Sequence, residues 1–112
     1  MRVLICGSRT WTDVEAIRDC LVNLPVNTTV IHGGALGADS LAGAVAQILG
    51  LKIEVYPADW EKYGKIAGFK RNLEMLDTNP DLVLAFWDGK SKGTAHTVGH
   101  AQARKIPTKV IR

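Results

Sequence analysis

Thr29-Val30-Ile31-His32-Gly33-Gly34-Ala35-Leu36-Gly37-Ala38-Asp39 decides the fold. An apolar, β-branched run leads into a glycine-rich loop. Leu41, Val45, Ile48 and Leu49 then recur at helical spacing. The order is strand, glycine loop, helix. Glycine lets a backbone turn tightly and approach a ligand, and the helix start behind it offers unpaired N–H groups at a positive dipole end. Gly33, Gly34, Ala35, Gly37, Ala38 and that helix start therefore form an expected phosphate cradle.

The same alternation extends in both directions. Arg2–Cys6 reads as a near-continuous apolar strand of the kind buried on both faces of a parallel sheet. Thr12-Asp13-Val14-Glu15 has the form of a capping box, and Val14, Ile17, Leu21 and Leu24 continue as a helix that Pro25 ends. The second helix spans Ala38–Leu49 with Gly50 as its cap, and Lys52–Tyr56 is a third strand. Ala58–Gly64 reads as a loop carrying Trp60 and Tyr63. A third helix runs from about Lys65 to Asp77, and Asn79-Pro80 breaks the chain. Leu82–Phe86 is the fourth strand, a fourth helix spans about Thr94–Lys105, and Thr108–Ile111 is the last strand. Strands alternating with helices imply parallel crossovers. The fold class is α/β, a Rossmann-like doubly wound parallel five-stranded sheet with helices on both faces, built as a single domain over residues 1–112.

Composition narrows the function. A chain of 112 residues builds one core, and its 46% hydrophobic and 22% charged residues are ordinary for a globular protein. A net charge of +3 suits an anionic ligand but falls short of a protein that coats nucleic acid. No apolar run reaches the roughly 20 residues of a membrane helix. The opening Met1–Gly7 reads as a first strand rather than a signal peptide. Cys6 and Cys20 are expected as buried thiols of a reducing, cytoplasmic protein. His96 and His100 share a helix face, but nothing supplies the third ligand a metal needs. No metal and no resident cofactor is expected.

Doubly wound sheets bind ligands beyond the carboxyl ends of their strands, so the loops after the first four strands should share one site. The first, Gly7-Ser8-Arg9, offers a turn, a hydroxyl and a guanidinium fork for phosphate or carboxylate. In the second, Asp39 has two readings: it accepts ribose hydroxyls, or it complements the helix N-terminus. His32 reads as a packing residue. Trp60 and Tyr63 of the third loop either stack on a base or cover the core edge. Arg71 and Asn72, on the helix that follows, are a phosphate clamp or a solvated face. The last loop brings Ser91, Gly93 and Thr94 to a helix start, a second candidate cradle.

Taken together, these motifs resemble the SLOG superfamily, and within it the small stand-alone members of the YspA-related type. The resemblance rests on Gly7-Ser8-Arg9, Gly33-Gly34-Ala35 through Gly37-Ala38-Asp39, Trp60 with Gly64 and Gly68, Arg71-Asn72 with Met75, and Ser91 with Gly93-Thr94. It covers nearly the whole chain and implies a pocket for a phosphorylated, nucleotide-derived small molecule: NAD-like, ADP-ribose-like or nucleoside-phosphate-like. The superfamily includes the LOG phosphoribohydrolases and the single-stranded-DNA-binding protein DprA. A phosphoribohydrolase-like enzyme and a single-stranded DNA binder therefore stand as alternatives. The hydrolase motif continues from its Gly-Thr to a catalytic Glu, and here that position is Thr97. Threonine supplies no carboxylate, so no catalytic residue is assigned and the expectation leans away from an enzyme. The resemblance also implies self-association, and a homodimer stands as an expectation.

Overall fold

The glycine-led crossovers generate a five-stranded, all-parallel sheet in a computed structural model that describes residues 1–112. Its strands are β1 (Arg2–Gly7), β2 (Thr29–His32), β3 (Lys52–Val55), β4 (Leu82–Phe86) and β5 (Thr108–Ile111), in the order β3-β2-β1-β4-β5. The helices are α1 (Val14–Leu21), α2 (Ala38–Ile48), α3 (Trp60–Tyr63), α4 (Ala67–Asp77) and α5 (Lys92–Ala103). The architecture is the Rossmann-like α/β class read from the sequence.

The central strand explains why Arg2–Cys6 is so uniformly apolar. Val3 and Ile5 point into one buried cluster with Ile17, Leu21, Val45 and Phe86, under α1 and α2. Leu4 and Cys6 point into a second cluster with Ile31, Met75, Val98 and Ala101, under α4 and α5. Period-two alternation with helices on both faces buries every residue from Val3 to Cys6. At the edge, Arg2 reaches past β2 to pair bidentately with Glu54 of β3 at 2.9 Å, and Glu54 also accepts from the Tyr56 hydroxyl.

Strand order reverses at β1. Gly7 sits level with Phe86, yet the chain leaves β1 toward α1 and leaves β4 toward α5 on the opposite face. That divergence opens a crevice at the carboxyl ends of the two strands.

Several boundaries differ from expectation, each for a local reason. The capping box does not form. Asp13 is the N-cap of α1 and accepts from the Ala16 N–H at 3.1 Å, because a carboxylate caps at least as well as a threonine and adds charge against the dipole. α1 stops at Leu21 rather than at Pro25, since Leu24, preceding proline, is disfavoured in helix. The loop carrying Trp60 contains a helical turn, α3, because Asp59 caps the Lys62 N–H at 3.1 Å. A 3-10 turn over Gly64–Ile66 then delays α4 to Ala67. Ser91 caps α5 two residues earlier than expected. The same helix ends at Ala103, where Lys105 takes a left-handed φ of 60° and the Ile106 N–H reaches back to the Ala101 carbonyl. Gly50 plays that role after α2, with φ 74°, as its position in the sequence suggests.

Candidate functional site

The crevice is a cavity of about 510 Å³. Its floor is the end of β1 at Cys6 and Gly7, and its walls are the loops after β1 and β4 and the amino-terminal halves of α4 and α5. A smaller cavity of about 280 Å³ lies alongside, between the glycine loop after β2 and the chain following β3.

The loop after β1 is stitched to the loop after β4. The Ser8 N–H donates to the Phe86 carbonyl, and the buried Ser8 hydroxyl accepts from the Asp88 N–H, both at 2.9 Å. Arg9 and Thr10 line the larger cavity, and their N–H groups have no protein acceptor. Gly7 must be glycine, because a Cβ there would stand 2.6 Å from the Ala38 Cβ.

In the glycine loop after β2, part of the expected cradle is engaged from within. Asp39 Oδ2 accepts from the Gly33 N–H at 2.9 Å and from the Ala35 N–H at 3.4 Å, and His32 Nδ1 accepts from the Gly34 N–H at 3.0 Å. A buried carboxylate and an imidazole thus occupy the Gly33, Gly34 and Ala35 amides of that expected cradle. Asp39, in the first turn of α2, directs its carboxylate back to the loop amides. Burial pushes its pKa up, against the Gly33 and Ala35 amides and the Arg71 charge, which hold it down. Burial, helped by Arg71, pushes the pKa of His32 down. A neutral ring with a bare Nδ1 matches the bond from Gly34. His32 also packs against α2, 2.8 Å from where a Gly43 Cβ would lie, consistent with a packing role. Gly37 and Ala38 line neither cavity; Gly37 (φ 76°) packs on the Ser8–Arg9 backbone, and the Ala38 N–H donates to the Ser8 carbonyl. The two residues join the loops after β1 and β2.

Arg71 is the best-held cation at the site. Its Nη1 donates to the Gly33 carbonyl at 2.6 Å and to the Tyr56 carbonyl at 3.4 Å, and its Nε donates to Asn72 Oδ1 at 3.0 Å. Nη2 has no protein acceptor. Asn72 in turn donates to the Gly93 carbonyl at 3.3 Å, tying α4 to the start of α5. Burial pushes the Arg71 pKa down while Asp39 pulls it up, but a guanidinium keeps its charge at any ordinary pH.

The loop after β4 is open. Asp88 Oδ1 accepts from the Lys90 and Ser91 amides, which hold its pKa down. The Ser91 hydroxyl caps Thr94, and Gly93 has no neighbouring atom within 4 Å of where a Cβ would stand. Thr97, at the position of the missing glutamate, is buried and donates to the Gly93 carbonyl at 3.2 Å.

The structure therefore brings Gly7, Ser8, Arg9, Ala35, Asp39, Trp60, Arg71, Asn72, Ser91, Gly93 and Thr94 around one cavity. Gly33 and Gly34 line the smaller one. Sequence reasoning missed Thr10, Phe69, Asp88 and Lys90 on the larger cavity. Phe69 lies beside Gly68 and one turn before Asn72, a spacing that placed it on the α4 face already singled out. Its ring also stacks on His96, which stacks on His100, each at 4.5 Å between centroids. Tyr63 lies outside, between Lys62 and Lys70 on the neighbouring surface.

Comparison with known proteins adds two findings. Residues 1–63 match the sequence profile described as "YspA, cpYpsA-related SLOG family". The chain is also 42% identical over 115 positions to the "Gene 61 protein" of Mycobacterium phage D29, an alignment covering 95% of this chain and 92% of the phage protein. No helix is long and apolar enough to cross a membrane.

Proposed function

We propose a nucleotide-binding function from one premise: this chain belongs to the YspA- and cpYpsA-related SLOG family. Membership associates the chain with nucleotide-related binding in general terms, and the specific ligand class is our reading of the site. The protein holds a phosphorylated, nucleotide-derived small molecule at the carboxyl ends of the strands. The observation that carries this is Arg71. Three hydrogen bonds fix its guanidinium, and Nη2 remains uncommitted beside a cavity that Arg9, Lys65 and Lys90 also line. Asp39 and Asp88 are the only acids on that lining, and both already accept backbone N–H bonds. A phosphate meets an excess of cations, together with the free N–H groups of Arg9 and Thr10. Half-exposed Trp60 and Phe69 supply an apolar surface for a base.

The test is thermal shift with AMP, ADP-ribose, NAD and cyclic oligonucleotides. A ligand at about 100 times its dissociation constant stabilises the fold by about 2.7 kcal/mol. A shift with none of them overturns the reading.

The hydrolase alternative keeps one candidate group, the buried Asp39, whose raised pKa is of the sort that acid–base chemistry uses. Release of free base from a nucleoside monophosphate, abolished in Asp39→Asn, would establish it. The single-stranded DNA alternative has Lys65 on the cavity lining and Lys62 and Lys70 beside Tyr63 on the neighbouring surface. It predicts affinity that falls steeply with salt.

A further inference from the structure

The sheet has two open edges, and they are not alike. β3 pairs only with β2, and β5 pairs only with β4. In β3 the Lys52 and Tyr56 N–H groups donate inward, to the Thr28 and His32 carbonyls. Strand alternation then turns the N–H groups of Ile53 and Val55, and the carbonyls of Leu51, Ile53 and Val55, away from the sheet. Ile53 and Val55 are exposed, and both lie on the face that α1 and α2 cover. On the opposite face stand exposed Lys52 and Glu54, whose carboxylate Arg2 and Tyr56 hold in place. Pro57 follows and ends the row of donors. β5 differs: it carries Lys109 and no acid, a common guard against strand addition.

We propose that the β3 edge takes a second copy of this chain, antiparallel about a twofold axis at Ile53, so that two five-stranded sheets join edge to edge. A second copy is the occupant because the edge complements itself in one register. Main-chain bonds can form only between outward-turned groups, so the axis falls on a residue of the strand. An axis at Glu54 sets glutamate against glutamate, and an axis at Lys52 sets lysine against lysine. Like charges directly opposite oppose pairing. An axis at Leu51 or Val55 runs the pairing off the end of the strand. An axis at Ile53 places Lys52 opposite Glu54 twice, in the close, non-hydrogen-bonded positions where side chains meet. It also sets Ile53 against the partner's Ile53 and Val55 against the partner's Leu51. The Ile53 N–H then meets the partner's Ile53 carbonyl, and the Val55 N–H meets the partner's Leu51 carbonyl. Both donors that β3 turns outward are satisfied. The Leu51 N–H is not required, since it already donates to the Ala46 carbonyl. Self-association by itself names no surface; the β3 edge is a particular one, and it stands independently of any ligand in the cavities.

Sedimentation equilibrium of the whole chain, with amide hydrogen exchange followed by NMR at low and high protein concentration, tests this. As concentration rises, exchange at the Ile53 and Val55 N–H groups should slow about tenfold or more. The Thr108 and Val110 N–H groups, which β5 turns outward at the other edge, should not change. Lys52→Glu, at an exposed position on neither cavity, sets acid against acid twice. It should weaken association about tenfold or more, with part of the loss recovered in about 1 M salt. Ile53→Pro deletes the donor at the axis and should leave a folded monomer, as edge strands tolerate proline where the N–H faces outward. If that variant does not fold, Lys52→Glu decides alone. A folded Lys52→Glu protein that associates as tightly as the wild type overturns the proposal. Association that leaves Ile53 and Val55 unprotected also overturns it, by placing the contact elsewhere. A chain that stays monomeric up to about 1 mM overturns it as well and leaves the edge to an unlike partner.

Discussion

Two glycine loops close the top of this sheet, and they use glycine for opposite purposes. In the loop after β2, Gly33 and Gly37 are small because protein atoms crowd them. Arg71 lies against Gly33, with its Cζ 2.6 Å from where a Cβ would be, and the Arg9 carbonyl carbon lies 2.5 Å from the corresponding point on Gly37. Where the loop after β4 enters α5, Gly93 in the first turn of that helix faces open space. The first loop is an internal joint whose first three amides are already occupied; the second is an opening. Glycine in a phosphate-type loop therefore does not by itself mark where phosphate goes.

The comparison breaks most easily at Gly37. Gly37→Ala forces a side chain into a left-handed φ and against backbone, and should cost about 3 kcal/mol or more in urea denaturation. Gly93→Ala, in a helix with room for the methyl, should be neutral or stabilise by up to about 1 kcal/mol. Similar losses at both positions would erase the distinction. Arg71→Met comes next. It strips a hydrogen-bond partner from the Gly33 carbonyl and from Asn72, for a stability loss of about 1–3 kcal/mol. It should also lower nucleotide affinity at least tenfold, about 1.4 kcal/mol, by calorimetry. Unchanged affinity would remove Arg71 from the site.

The inward-facing loop should also register pH. The folded-state pKa of His32 is depressed, so its contribution to stability is present above the usual histidine value of 6.5 and is lost as pH falls below it. The protonated ring also loses the lone pair that accepts from Gly34. Melting temperature followed from pH 7.5 down through 6 should therefore drop more in the wild type than in His32→Gln. Parallel curves would show that the imidazole is not part of the joint. The smallest effect calibrates the others. Lys105→Gly relieves a left-handed φ with no crowding and should raise stability by about 0.5–1 kcal/mol, isolating the backbone share of the Gly37 cost.

The sheet was legible because its signals are additive along the chain. The continuous apolar runs of Arg2–Cys6 and Leu82–Phe86 and the period-3.6 pattern of the α2 segment each identify an element without reference to the others. The cavity followed from a topological rule applied to those elements. What the sequence concealed were pairwise decisions between polar groups. Nothing local says that Asp39 turns back to Gly33 and Ala35 rather than outward to a ribose. Both are short-range options of one carboxylate, and the Gly33 that Asp39 engages is also held through its carbonyl by Arg71, 38 residues away. Asp13 displacing Thr12 as a cap, and Asp59 raising a helical turn under Trp60, are the same kind of competition on a smaller scale.

The Asp39 carboxylate has a further consequence for how this protein would recognise anything. The loop carries its own anion. With its Gly33, Gly34 and Ala35 amides satisfied from within, it takes its shape when the chain folds and needs no guest to draw it into order. A ligand arriving at such a rim meets a surface that is already preorganised, and the entropy of ordering the backbone is not subtracted from its affinity. Selectivity then depends on shape and on the fixed position of the Arg71 guanidinium, and the free and bound proteins should differ little in the backbone of this loop.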